Sequence, residues 1–285
     1  MRARTFILGV LAVLLAGCSS TTTDNAADDA GRLPGSDHVH ALRATGDGAL
    51  LLGLHGALWR SPDGKSWEQL GLEGQDAMAL GVAVEGEPLL VGGHDVLARS
   101  DDGGREFEML SPPDLPSLDI HALAQAPSDP KIVYAYVVGH GIYRSTDAGD
   151  TWIAVAPMGE QLPPDLAAMA VDPNTPETVL VGSGSQGVLR STDAASSFAQ
   201  TGDWGTLGLA FSDRGTVLAA TYRGVDVSVD GGKTWQQAAS VEELDGQPFA
   251  VAIGPDGTWW VLTEEPRVLY RGFGADGALE EVARA

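Results

Sequence analysis

The stretch Ser145-Thr146-Asp147-Ala148-Gly149-Asp150-Thr151-Trp152 keeps returning along this chain. Ser228-Val229-Asp230-Gly231-Gly232-Lys233-Thr234-Trp235 is a second full copy. Ser100 to Phe107 keeps the Ser, Asp and Gly and puts Phe in the Trp place, Ser191 to Phe198 loses the Gly, and Ser61 to Trp67 is one residue short. Successive motif serines stand 39, 45, 46 and 37 residues apart. A fixed motif at that period means an array of like supersecondary units, and β-rich units of this size are propeller blades.

The motif can be read as a turn. Gly supplies the positive φ, while the Ser and Asp side chains bond to the turn's own backbone and the terminal Trp or Phe plugs the space beneath the blade. The pattern Ser-x-Asp-x-Gly-x-Thr-Trp resembles the Asp-box, or bacterial neuraminidase repeat, of sialidase-type propellers. The resemblance runs from about Asp37 to the end of the chain. It implies a propeller and says little about activity, because fold does not fix function.

Ahead of the repeats, Arg2 and Arg4 precede an apolar run from Phe6 to Leu15 and the ending Leu15-Ala16-Gly17-Cys18. A basic start, a short apolar run and small residues before a cut describe a secretory signal over residues 1–17. The ending resembles a bacterial lipobox, which implies that Cys18 is lipidated and anchors the protein outside the cytoplasm on a membrane. Cys18 is the only cysteine, so no intrachain disulfide can form. Residues 18–36 are rich in Ser, Thr, Asp and Ala and are expected to be a flexible tether.

Residues 37–285 leave room for six units in one domain, expected as an all-β, six-bladed propeller of four-stranded antiparallel blades. Blade three shows the grammar: Asp119-Ile120-His121-Ala122-Leu123 opens the inner strand, Lys131 to Gly139 forms the second, His140-Gly141 turns, and Ile142-Tyr143-Arg144 leads into the motif. The other blades are expected to start near Asp37, Asp76, Asp165, Trp204 and Gln247. In the sixth the motif has decayed to Gly274-Ala275-Asp276-Gly277. No stretch reads as a long helix. The formal net charge is −22, and removing Arg2 and Arg4 makes it more negative, which argues against nucleic acid or anionic lipid heads as partners. A self-repelling acidic surface suits a monomer.

All six histidines map to one end of the expected propeller, the top, opposite the Ser-Asp turns, and all fall in blades one to three. His40 and His121 hold the same place in their inner strands, where blade two carries Met78. His38 lies two residues before His40, at the place held by Asp76, Asp119 and Asp165. His55, His94 and His140 share the turn after the second strand. Imidazole is the commonest metal ligand; Met beside it favours copper, and carboxylate beside it favours zinc. The expected metal set is therefore His38, His40, His121 and Met78, with His55, His94 and His140 around it. Histidines inherited from one ancestral blade, serving only turns and core, are the alternative, since no spacing here fixes a coordination geometry.

Arg223, Glu264, Glu265, Asp76 and Asp119 are further candidates for ligand binding on the same face. The sialidase resemblance would imply three arginines gripping a carboxylate and a Phe/Tyr-Arg-Ile-Pro motif in the first blade. That motif is absent. Arg60, Arg99, Arg144 and Arg190 directly precede motif serines, and Arg271 holds the matching place in blade six, so they belong to the opposite end. Only Arg223 and Arg267 reach the top, and no clamp of three assembles. Three readings follow: a membrane-anchored binding protein with a His-rich pocket that holds a metal ion or a metal-dependent ligand; a glycoside hydrolase using paired carboxylates on extracellular glycans; and a scaffold for protein partners.

Overall fold

Each blade of the computed structural model is a meander that buries its two faces only against its neighbours. Residues 31–35, 38–81, 86–159, 162–274 and 278–285 are described. The signal at 1–17, Cys18 and the core of the decayed motif at 275–277 lie outside them. Blade one comprises Val39–Ala44, Leu50–Leu54, Ala57–Ser61 and Glu68–Gln69; blade two Ala79–Leu80, Leu89–Gly93, Val96–Ser100 and Glu108–Met109. Blade three comprises Ile120–Gln125, Val133–Val137, Gly141–Ser145 and Ile153–Pro157; blade four Leu166–Asp172, Thr175–Ser183, Gly187–Ser191 and Ala199–Gly202. Blade five comprises Thr206–Phe211, Val217–Thr221, Gly224–Ser228 and Gln236–Ser240; blade six Gln247–Ile253, Thr258–Glu264, Val268–Phe273 and Glu280–Arg284. The strands pair in sequence order and antiparallel, so the fold is the expected six-bladed all-β propeller. The sole helix among the described residues is a 3-10 turn at Val241–Glu243.

The core is divided into six apolar clusters, one at each blade boundary. Leu90 and Leu97 of blade two meet Ile120 and Val133 of blade three, for example. The motif aromatics belong to these boundaries. Trp152 of blade three packs in the cluster it shares with blade two, and Trp67 packs against the boundary of blades six and one. Thus the aromatic staples its blade to the preceding one, where the motif alone had placed it beneath its own blade. Successive first strands contact one another around the ring, and the first strand of blade one meets that of blade six.

The Ser-Asp turns have the expected chemistry. Ser145 Oγ donates to Asp147 at 2.7 Å and accepts the Gly149 amide at 2.9 Å; Asp147 accepts the Thr151 amide at 2.9 Å. Where blade four lacks the glycine, Ala195 holds the left-handed position at φ 67° and its amide still reaches Ser191 Oγ at 3.0 Å. The Ser-Asp bonds keep the turn without its usual residue.

One boundary differs from expectation. Gly31–Arg32, inside the expected tether, pairs parallel to Glu280–Arg284 as a fifth strand of blade six, and Leu33 is buried behind it. Residues 31–33 therefore belong to the propeller and not to the expected tether. Leu33 supplies the reason, because its side chain enters the boundary of blades six and one. Blade six completes its own four strands without borrowing from near Asp37.

The central channel is narrow, with about 50 Å³ of free space lined by first-strand residues of all six blades. Arg43 fills it. Its guanidinium donates to the carbonyls of Leu80, Leu123, Met169 and Leu209, at 3.1, 3.4, 3.1 and 3.2 Å, which belong to blades two, three, four and five. Burial lowers its pKa to about 10, so it remains charged at neutral pH.

Candidate functional site

In five blades the first strand carries a register shift one or two residues after its start. The residues left over are His40, His121, Ala167, Leu207 and Phe249. A bulge turns its extra side chain out of the pleat. His40, His121, Ala167 and Leu207 consequently line the channel, and Met78, just ahead of the inner strand of blade two, lines it without a bulge. The two histidines are aimed by this bulge and do not follow simple strand alternation.

The second structural device is close approach. A Cβ on Gly53 would collide with the Ala77 carbonyl, and one on Gly92 with the Ile120 side chain, while Gly93 bridges in parallel to Asp119. Glycine at these places lets the lead-in of each next blade lie against the second strand of the one before. That contact brings the turn histidine of one blade beside the lead-in aspartate of the next.

Two triangles result. His40 Nε2 and His55 Nδ1 are 3.3 Å apart, and Asp76 Oδ1 stands 3.5 Å from the first and 3.3 Å from the second. His94 Nε2 and His121 Nε2 are 3.2 Å apart, with Asp119 Oδ1 at 3.8 and 3.1 Å. Either group could hold a metal ion. They are joined by Asp76, whose Oδ2 lies 2.7 Å from His94 Nδ1. Asp76 is 8% exposed, and its Oδ1 and Asp119 Oδ1 are buried atoms with no hydrogen-bond partner. Burial pushes the His40 imidazole below its usual pKa, against the pull of Asp76 and with the push of His55 and His94.

The arrangement differs from the expected one in its pairing. His40 and His121 do not share a triangle; each is completed by a turn histidine and a lead-in aspartate across a blade boundary. Met78 lies at the channel mouth between them and outside both triangles. His140 is exposed on its turn and outside both groups. Its repeat-equivalent aspartate is spoken for. Burial raises the Asp165 pKa, but hydrogen bonds from Ser183 Oγ at 2.7 Å and Ser185 Oγ at 2.9 Å outweigh it and hold the group low. Blade four also has Ala167 at the bulge where blades one and three carry histidine.

His38 neighbours Glu264 instead. Burial raises the Glu264 pKa, opposed by Arg267, His38 and the Val39 amide. Glu265 is exposed beside it. Arg223, expected as a ligand grip, is held by Asp226, with Nε 3.0 Å from both carboxylate oxygens, and lies over the Trp204 ring at 5.1 Å. Arg43 was not expected to matter at all. Its one sequence signal is that it stands alone in the apolar register of an inner strand.

The fold and this face define a six-bladed propeller with a histidine- and aspartate-lined end. No protein-family model matches the chain, and no curated protein matches it. Solved structures do. The extracellular domain of BT4673 from B. thetaiotaomicron, described as a hybrid two-component system, is 14% identical with a TM-score of 0.58, over 85% of this chain and 39% of that one. The GH74 xyloglucanase from Xanthomonas campestris is 16% identical with a TM-score of 0.59, over 88% and 46%. YCF48 bound to D1 peptide is 17% identical with a TM-score of 0.53, over 86% and 94%. The chain spans less than half the length of the first two. At these identities the likeness carries the fold alone.

Proposed function

We propose that this is an extracytoplasmic binding protein, tethered to the bacterial membrane through lipidated Cys18, whose top face holds a transition metal ion and binds its ligand there. The observation that carries the reading is the buried Asp76 Oδ1, which accepts no hydrogen bond although two imidazole nitrogens stand 3.3 and 3.5 Å away. A desolvated carboxylate oxygen without a proton donor costs free energy unless a cation completes it. Two imidazoles and a carboxylate, with the nearest methionine outside the set, favour zinc over copper.

The glycoside hydrolase reading has less support. Asp76 and Asp119 face imidazoles, and Arg223 is neutralised by Asp226. The scaffold reading explains neither of the orphaned carboxylate oxygens.

The test is elemental analysis of the purified protein, made without a polyhistidine tag, beside a His40→Ala/His121→Ala double variant. The expected result is zinc or copper in the parent and loss of it in the variant, with the far-ultraviolet spectrum retained. No metal after incubation with either ion would overturn the reading.

A further inference from the structure

We propose that the top face holds two divalent ions of the zinc class, one at each of two successive blade boundaries, coupled through the Asp76 carboxylate. The proposal rests on the metal-binding reading above and goes beyond it in number, geometry and linkage.

Geometry is the first argument. Ligand atoms about 2.1 Å from a tetrahedral ion lie about 3.4 Å apart, whereas an octahedral ion at that distance spaces adjacent ligands by about 3.0 Å. The first triangle has edges of 3.3, 3.3 and 3.5 Å, and the second has edges of 3.1, 3.2 and 3.8 Å. Both fit one face of a tetrahedron better than a face of an octahedron. Three protein ligands leave the fourth position of each ion for water or an incoming oxygen or nitrogen donor. His55 and His94 are half-exposed, so that position is reached from solvent.

Repetition is the second. Each triangle takes a turn histidine from one blade, His55 or His94, and a lead-in aspartate from the next, Asp76 or Asp119. The third ligand is a bulge histidine, contributed by the earlier blade in the first case (His40) and by the later blade in the second (His121). Each triangle also has its own buried, orphaned carboxylate oxygen. Inheritance of turn residues alone would not complete both triangles from opposite sides of the boundary. The third boundary serves as an internal control: it has His140 and Asp165, but the bulge histidine of its earlier blade, His121, already belongs to the second triangle and its later blade carries Ala167, and there the carboxylate is satisfied by two serines.

Linkage is the third. Asp76 offers Oδ1 to the first triangle and Oδ2 to His94 Nδ1, while His94 Nε2 belongs to the second. A carboxylate that accepts a hydrogen bond from the Nδ1–H of a histidine fixes the tautomer whose Nε2 lone pair is free for metal, and such outer partners are worth about 10–100-fold in affinity. Asp76 is thus a ligand for one ion and a positioning residue for the other.

The experiment is a zinc titration of the full chain in detergent, without a polyhistidine tag, followed by calorimetry and by elemental analysis after dialysis. The unaltered protein is expected to bind two equivalents. His55→Ala should bind one, with the affinity of the remaining site unchanged. Asp76→Ala should also keep one site, weakened about 10–100-fold relative to that in His55→Ala. Cobalt substitution adds a readout that a merely structural role would not move, since tetrahedral cobalt absorbs far more strongly in the visible than octahedral cobalt. One equivalent in the unaltered protein, or equal affinity in the two variants, would overturn the two-ion proposal while leaving the metal reading standing. No zinc bound at all would remove both.

Discussion

His94 has two ring nitrogens and two different neighbours, the Asp76 carboxylate at 2.7 Å and the His121 imidazole at 3.2 Å. Only the tautomer protonated at Nδ1 suits both an acceptor on one side and a metal on the other. This gives a sharp contrast between residues that look equivalent in sequence. His94→Ala is expected to halve the zinc content, while His140→Ala leaves it unchanged, as read by elemental analysis. The repeat made His55, His94 and His140 recognisable as one position. It could not say which are used, because the answer depends on residues contributed by the following blade. Asp165 meets two serines and Asp76 meets three imidazoles, and no local pattern distinguishes the two aspartates.

At the scale of the element, the Ser-Asp turn was the most legible feature of the chain, because all of its bonds are made within one short run of consecutive residues. Ser145→Ala would strip the acceptor from the Gly149 amide and the donor from Asp147. The buried serine has no nearby substitute, so a loss of about 1–3 kcal/mol in stability is expected by denaturant unfolding. The turn aspartates carry a second prediction. In Asp230 the Thr234 amide leads the bonds that hold the carboxyl far below its ordinary value, and in Asp193 the Ser197 hydroxyl leads those that lower it. Groups with depressed folded pKa values add stability that is present above the unfolded value, about 4, and is lost as pH falls through the folded ones. The melting temperature should therefore hold steady at neutral pH and fall below about pH 4; a melting temperature that does not fall there would count against the turn chemistry. The inner-strand bulges were not legible. A bulge is set by pairing with the next strand and leaves no residue signature, so the aim of His40 and His121 could not be read from alternation.

For the whole molecule, ring closure depends on two features that sequence alone did not disclose. Gly31–Arg32 extends blade six beside the last strand, and Leu33 covers the seam between the last blade and the first. Arg43 ties four blades to the first through backbone carbonyls, contacts so distant in sequence that no motif announces them. Arg43→Leu would leave those carbonyls without their shared donor, and a loss of about 2–4 kcal/mol is expected from thermal or denaturant unfolding, water in the channel replacing part of the bonding. The blade count and strand order were legible because each blade repeats the same turn and strand pattern; the seam, the hub and the metal-ready triangles were not, because each joins residues from different blades. The most direct test of the central claim is a crystal structure of the zinc-loaded protein with anomalous scattering measured at the zinc edge. Two peaks are expected, one capping His40, His55 and Asp76 and one capping His94, His121 and Asp119, with none beside His140. Zinc found elsewhere, or both triangles closed by direct side-chain bonds with no peak, would contradict it.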